Sequence, residues 1–151
     1  MRPGVSARKI LLGIEGRRED EMAVATLCEA FDFRDTVLRI VNVLTVPMTA
    51  PLDVPMPEVE AEAARMLGAI AKIAGELGVS RVETAGLRGR MVSEALMEEA
   101  RRIDAAAIIV RLRSHHPPLE HRVISPTVSA LLAAAPCPVI ALHIPHRRRT
   151  G

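Results

Sequence analysis

The amino-acid sequence predicts an α/β fold, an open five-stranded, mainly parallel sheet with helices on both faces. Short apolar runs, "KILLGI", "TVLRIVNVL", "AAAIIVRL" and "PVIALHI", alternate along the chain with stretches whose apolar residues recur every three or four positions. Strands that are apolar on successive residues are covered on both faces, which is the signature of parallel sheets with helical crossovers. A length of 151 residues suits one domain with a sizeable core, so residues 1–151 are expected to form a single domain, with 1–8 and 146–151 as flexible tails.

Lys9 to Ile14 reads as a buried strand ending at Glu15-Gly16, followed by a helix from about Glu19 to Phe31 with Met22, Leu27 and Phe31 among its apolar positions. Thr36 to Leu44 is β-branched and apolar, a second buried strand. Pro47, Pro51, Pro55 and Pro57 then deny periodicity to residues 45–57, which are expected to form a long loop. Val59, Ala63, Met66, Leu67, Ile70, Ala74 and Leu77 mark an amphipathic helix stopped near Gly78. Val79 to Leu87 alternates imperfectly and predicts a more exposed strand. A helix from about Met91 to Ile103 and a fourth strand, Ala105 to Leu112, follow. Val128, Leu131, Leu132 and Ala135 mark the last helix, and Pro138 to Ile144 the last strand.

Composition narrows the function. The chain is 49% apolar and 25% charged with a net charge of +2, so it should fold and carries no continuous basic face. It has no Trp or Tyr and only Phe31 and Phe33, which excludes a platform of stacked aromatics for nucleic acid. The basic end, "HRRRTG", reads as a solubilising tail. Cys28 and Cys137 fit neither a metal spacing nor a disulfide framework and are expected as buried, reduced thiols. The first apolar run is too short for a signal peptide, and Pro136 and Pro138 interrupt the longest one, so the expectation is a cytoplasmic protein.

In parallel sheets, ligands bind beyond the carboxyl ends of the strands, where strand order reverses. Those ends are Ile14-Glu15-Gly16, Val43-Leu44 and Val110-Arg111-Leu112. The stretch after the fourth strand, "LRSHHPPLEHRVISPT", lacks glycine altogether. Ser125-Pro126 is a good helix start, Ser as N-cap and Pro at N1, but Pro126 has no N–H to offer a phosphate and branched Leu112 would obstruct a close backbone approach. Arg111, Arg113 and Arg122 with His115, His116 and His121 could bind an anion through side chains instead. A solvated loop beside a closed crevice is the simpler reading. Adjacent His115 and His116 point opposite ways on an extended chain, so no metal is expected. Ser114, Ser125 and Thr127 lie near histidines in sequence only, so no catalytic residue is expected and the protein is not read as an enzyme.

From "KILLGI" to "APCPVIAL" the chain resembles the universal stress protein family, most specifically in Ala135-Pro136-Cys137-Pro138-Val139, with weaker support from "GRMVSEALMEEARRIDAAAIIV", where Gly89 matches a frequent glycine. The resemblance implies a Rossmann-like three-layer sandwich of the adenine nucleotide alpha hydrolase-like type. The nucleotide-binding branch of the family resembles G-x-x-G-x9-G-[S/T] after the fourth strand, and here those positions are Leu112, His115, Ser125 and Pro126. All four depart from it. Glu15 stands at the family's acidic position, and the backbone position facing a base falls near Val43. A degenerate pocket would comprise Ile14, Glu15, Gly16, Val43, Arg111, Leu112, Ser125 and Thr127, with no cofactor expected and ATP or another nucleotide disfavoured.

The last strand ends the sheet, and in the family it pairs with its equivalent across a two-fold axis, which implies a homodimer through Val139, Ile140, Ala141, Leu142 and His143. The first reading is a homodimeric stress-response module that does not bind ATP. The alternatives are a nucleotide or anion sensor in a reshaped pocket, and a regulatory partner of a membrane transporter, which the loop "VPMTAPLDVPMPEVE" suggests by its likeness to domains appended to carriers.

Overall fold

The computed structural model describes residues 8–112 and 125–144. It contains β1 (Arg8–Ile14), α1 (Arg18–Ala30), β2 (Thr36–Thr45), α2 (Pro57–Glu76), β3 (Arg81–Gly89), α3 (Val92–Ile103), β4 (Ala107–Leu112), α4 (Pro126–Ala134) and β5 (Val139–His143). The strands form one sheet in the order β3-β2-β1-β4-β5, and every pairing is parallel.

Successive residues on a strand face opposite sides, and this alternation divides the core into two layers. Leu12, Ile14, Leu38, Ile40 and Ile109 pack under Val24 and Leu27 of α1 and Leu67 and Ile70 of α2. Leu11, Val41, Ile108 and Val110 pack under Leu96 and Ala100 of α3 and Val128 and Leu131 of α4. Truncating one such leucine to alanine costs roughly 2–5 kcal/mol.

The predicted elements all form, with shifted ends and faces. Met22, Phe31, Val59, Leu77 and Leu132 fit the helical spacing but are exposed, because the stripe that meets the sheet is narrower than the apolar pattern. The fourth strand starts at Ala107 and not Ala105, because Asp104 takes a left-handed conformation, φ 52°, as the cap of α3 and Ala105 still donates back to Ala100. The third strand runs two residues later than its spacing suggests, from Arg81 to Gly89. Arg8, expected in a tail, opens β1, and the rest of the predicted tails lie outside the described residues.

The proline-rich connection between β2 and α2 is held by two arginines at the end of β3. Arg88 Nη1 donates to Leu52 O at 3.3 Å and Val54 O at 2.6 Å, and Arg90 Nη1 donates to Val46 O at 3.2 Å, Ala50 O at 2.8 Å and Pro47 O. Prolines supply no N–H, so the loop's free groups are carbonyls, and guanidinium donors suit them.

On the opposite face a charged network crosses the sheet. Arg39 Nε donates to Glu99 Oε1 at 2.8 Å, Arg39 Nη1 to Glu83 Oε1 at 3.3 Å and Arg102 Nε to Glu99 Oε2 at 3.0 Å, with Glu99 buried. The hydrogen bond from Arg102 pulls the Glu99 carboxyl below its ordinary value, and Arg39 adds to it against the opposing effect of burial.

Candidate functional site

Strand order reverses between β1 and β4, so their carboxyl ends open the crevice in which α/β sheets of this kind bind ligands. Ile14, Glu15, Val43, Arg111, Ser125 and Thr127, six of the residues picked from the sequence, line it together. Gly16 and Leu112 do not. Gly16 turns away beneath α2, and Leu112 packs on the α3–α4 core. Arg113, Ser114, His115, His116, His121 and Arg122 lie outside the described residues.

The floor is set by the turn after β1. Gly16 has φ +87°, a conformation that requires glycine, and a Cβ there would stand 2.5 Å from Met66 Sδ, which would have to shift. This turn aims the backbone N–H groups of Glu15, Gly16 and Arg17 at one point, a concavity of the kind that holds anions. The side chain of Asp20 already fills it. Its carboxylate accepts from Gly16 N at 2.7 Å, Arg17 N at 2.7 Å and Glu15 N at 3.5 Å, and the residue is only 2% exposed. The Arg17 bond is half of a capping box for α1.

Arg111 enters from β4. Its side chain is 10% exposed, with Nη2 at 3.5 Å from Glu15 Oε2 and Nε at 3.9 Å from Asp20 Oδ1, and Nε has no hydrogen-bond partner. The cation therefore lies between two carboxylates of its own chain. On the far wall, Ser125 Oγ accepts from Val128 N at 3.3 Å, as a cap should, which commits that oxygen to the start of α4. Val92 and Leu96 of α3 close the side, and Leu96 is packed so tightly that a Cβ on Gly13 would stand 3.3 Å from its methyls. The space left between the described residues is about 30 Å³. That admits a water, whereas drug-sized ligands occupy pockets of roughly 300–1,000 Å³.

Asp20 and Asn42 escaped the sequence reading. Asn42 is buried and its Nδ2 donates to Ile14 O at 2.9 Å, tying β2 to the end of β1. An Asn within "IVNVL" is a residue depleted from strands, and an acid four places after a turn glycine suits a helix N-terminus. Both signals were available. Cys28 and Cys137, expected buried, are half-buried free thiols whose pKa values are raised by desolvation. Among the described residues, no group of three His, Cys, Asp or Glu is arranged to hold a metal, and no helix is long and apolar enough to cross a membrane.

At the other end of the sheet, β5 pairs only with β4 among the described residues. Val139, Ile140, Ala141 and Leu142, expected to be buried on both faces, are half-buried, and His143 is exposed. Val139 and Ala141 meet the α3–α4 core and Ile140 and Leu142 the α1–α2 core, so neither face is bare and neither is sealed.

A parallel sheet in this order, with a crevice at the β1–β4 switch, defines a Rossmann-like three-layer α/β protein. The chain belongs to the universal stress protein family, whose sequence model matches residues 6–143. Among solved structures it is similar to a universal stress protein from Archaeoglobus fulgidus, at 18% identity over 91% of this chain and 95% of that one, with a TM-score of 0.71. The Archaeoglobus fulgidus universal stress protein in complex with dAMP matches at 17% identity over 91% and 98%, TM-score 0.68. The universal stress protein UspA from Lactobacillus plantarum matches at 20% identity over 92% and 99%, TM-score 0.64. A search of curated proteins gives no match.

Proposed function

We propose that this universal stress protein acts as a homodimeric, regulatory and non-catalytic module that does not bind ATP. The observation that carries the reading is the occupation of the crevice by the chain's own charges. Asp20 takes the N–H groups of the turn after β1, and Arg111 lies against Glu15 and Asp20 instead of facing an open cavity. Bringing a polyanion beside two carboxylates is unfavourable, and breaking the internal pairs to admit it exposes buried charge. Pro126 adds no donor at the start of α4.

The free edge of β5 supports dimerisation. The Pro138 carbonyl accepts from Ile108 N at 2.9 Å, so residue 138 faces β4 and, by alternation, the backbone groups of Val139, Ala141 and His143 face outward. Antiparallel pairing with a second copy would satisfy those groups and cover the half-buried apolar residues. Equilibrium dialysis against ATP with magnesium tests the ligand reading. No retention at millimolar nucleotide is expected, and saturable retention at one nucleotide per chain would refute it.

A further inference from the structure

The sheet has a second edge, at β3, and beside it a groove. Gly89 O accepts from Val46 N at 2.9 Å, so Gly89 faces β2, and by alternation the backbone groups of Val82, Thr84, Gly86 and Arg88 face away from the sheet. No backbone hydrogen bond among the described residues satisfies them. Arg81, Glu83 and Arg88 put charge on this strand, but its backbone edge is not blocked. It contains no proline, and its register with β2 runs unbroken from Val37↔Arg81 to Thr45↔Gly89, without a bulge.

The groove lies on the α2 side of the same residues and has a volume of about 380 Å³. It exists because both walls carry small side chains. Gly86 faces Ala63 and Ala64, and a Cβ on Gly86 would meet nothing within 4 Å. Thr84 and Gly86 are exposed, so the groove opens toward the edge. At one end stand Arg88 and Glu60. The Arg88 Nη groups are directed at Leu52 O, Val54 O and Glu60, whereas Glu60 is 45% exposed and its carboxylate accepts at more sites than Arg88 fills. The charge that this end can still satisfy is therefore positive.

We propose that β3 and this groove bind an extended peptide segment of a partner protein, added to the sheet as a further strand, with apolar side chains at alternate positions and a lysine or arginine at the Glu60 end. Main-chain hydrogen bonds to the free edge would supply the affinity, and the groove between strand and helix would select alternate side chains. Chain direction is set by which end carries the basic residue.

The test uses the full-length protein and two labelled peptides, acetyl-Thr-Val-Thr-Val-Thr-Lys-amide and its reversed sequence, followed by fluorescence polarisation and by backbone amide NMR. One peptide should bind, shifting amides of Arg81–Gly89 while leaving Val139–His143 unmoved. Replacing its Lys with Glu should weaken binding several-fold. Gly86→Val, which the open space around Gly86 accommodates, should fill the groove and weaken binding at least roughly tenfold, about 1.4 kcal/mol, with the circular dichroism spectrum unchanged. Absence of β3 shifts at millimolar peptide would overturn the proposal, as would undiminished binding to Gly86→Val. So would β3 shifts that follow protein dilution and not peptide, because the occupant would then be a second copy.

Discussion

Arg111 Nε lies 3.9 Å from Asp20 Oδ1, close enough for attraction and too far for a hydrogen bond. The two residues come from opposite sides of the strand-order reversal, and Asp20 also accepts from the N–H groups of the turn after β1. Asp20→Ala releases the Glu15, Gly16 and Arg17 N–H groups and leaves Arg111 without that carboxylate. The variant should lose roughly 2–3 kcal/mol of stability, the cost of unsatisfied buried donors and a lost cap. It should also gain stability from inorganic phosphate where wild-type protein does not. Denaturant titrations with and without phosphate check both.

Gly16 is fixed by its positive φ, and the end of the Met66 side chain crowds it. Gly16→Ala should cost roughly 1–3 kcal/mol, from strain at positive φ and the clash with Sδ. Adding Met66→Ala should recover the part due to the clash and leave the part due to φ. A double-mutant cycle by urea denaturation separates them.

These two sites also show what the sequence could and could not disclose. Element type and order were legible because "KILLGI" and "AAAIIVRL" are apolar on consecutive residues, which only doubly covered strands tolerate. Six crevice residues were legible because they sit at strand ends and a helix cap. The filling of the crevice was not, because it depends on Asp20 folding back onto the turn and on Arg111 reaching across from another strand. The arginines that hold the proline-rich loop, Arg88 and Arg90, were hidden for the same reason, being some forty residues from several of the carbonyls they bind.

Glu99 couples stability to pH. Its carboxyl is held below 4.5 in the folded chain, so it releases its proton more readily folded than unfolded. Its contribution is therefore complete above the unfolded value, near 4.5, and is lost as pH falls through the folded value. Glu99→Gln should lower stability by about 3 kcal/mol at neutral pH, since Arg39 keeps only Glu83. It should also flatten the loss of stability below pH 4.5. Thermal melts from pH 3 to 7 on both proteins provide the comparison.

Ala141 directs its N–H to the free edge of β5, so Ala141→Pro removes an outward donor without breaking the ladder to β4. Wild-type protein is expected to run as a dimer at low micromolar concentration by light scattering, and the variant as a folded monomer. A monomeric wild type at high concentration would contradict the dimer.

The central claim is that the crevice is closed by the chain itself, and the melting temperature in ATP with magnesium tests it most directly. A site at a hundred times its Kd would stabilise the protein by about 2.7 kcal/mol, roughly 5–10 °C for a chain of this size. No shift is expected for the wild type at millimolar ATP. A clear saturable rise would contradict it.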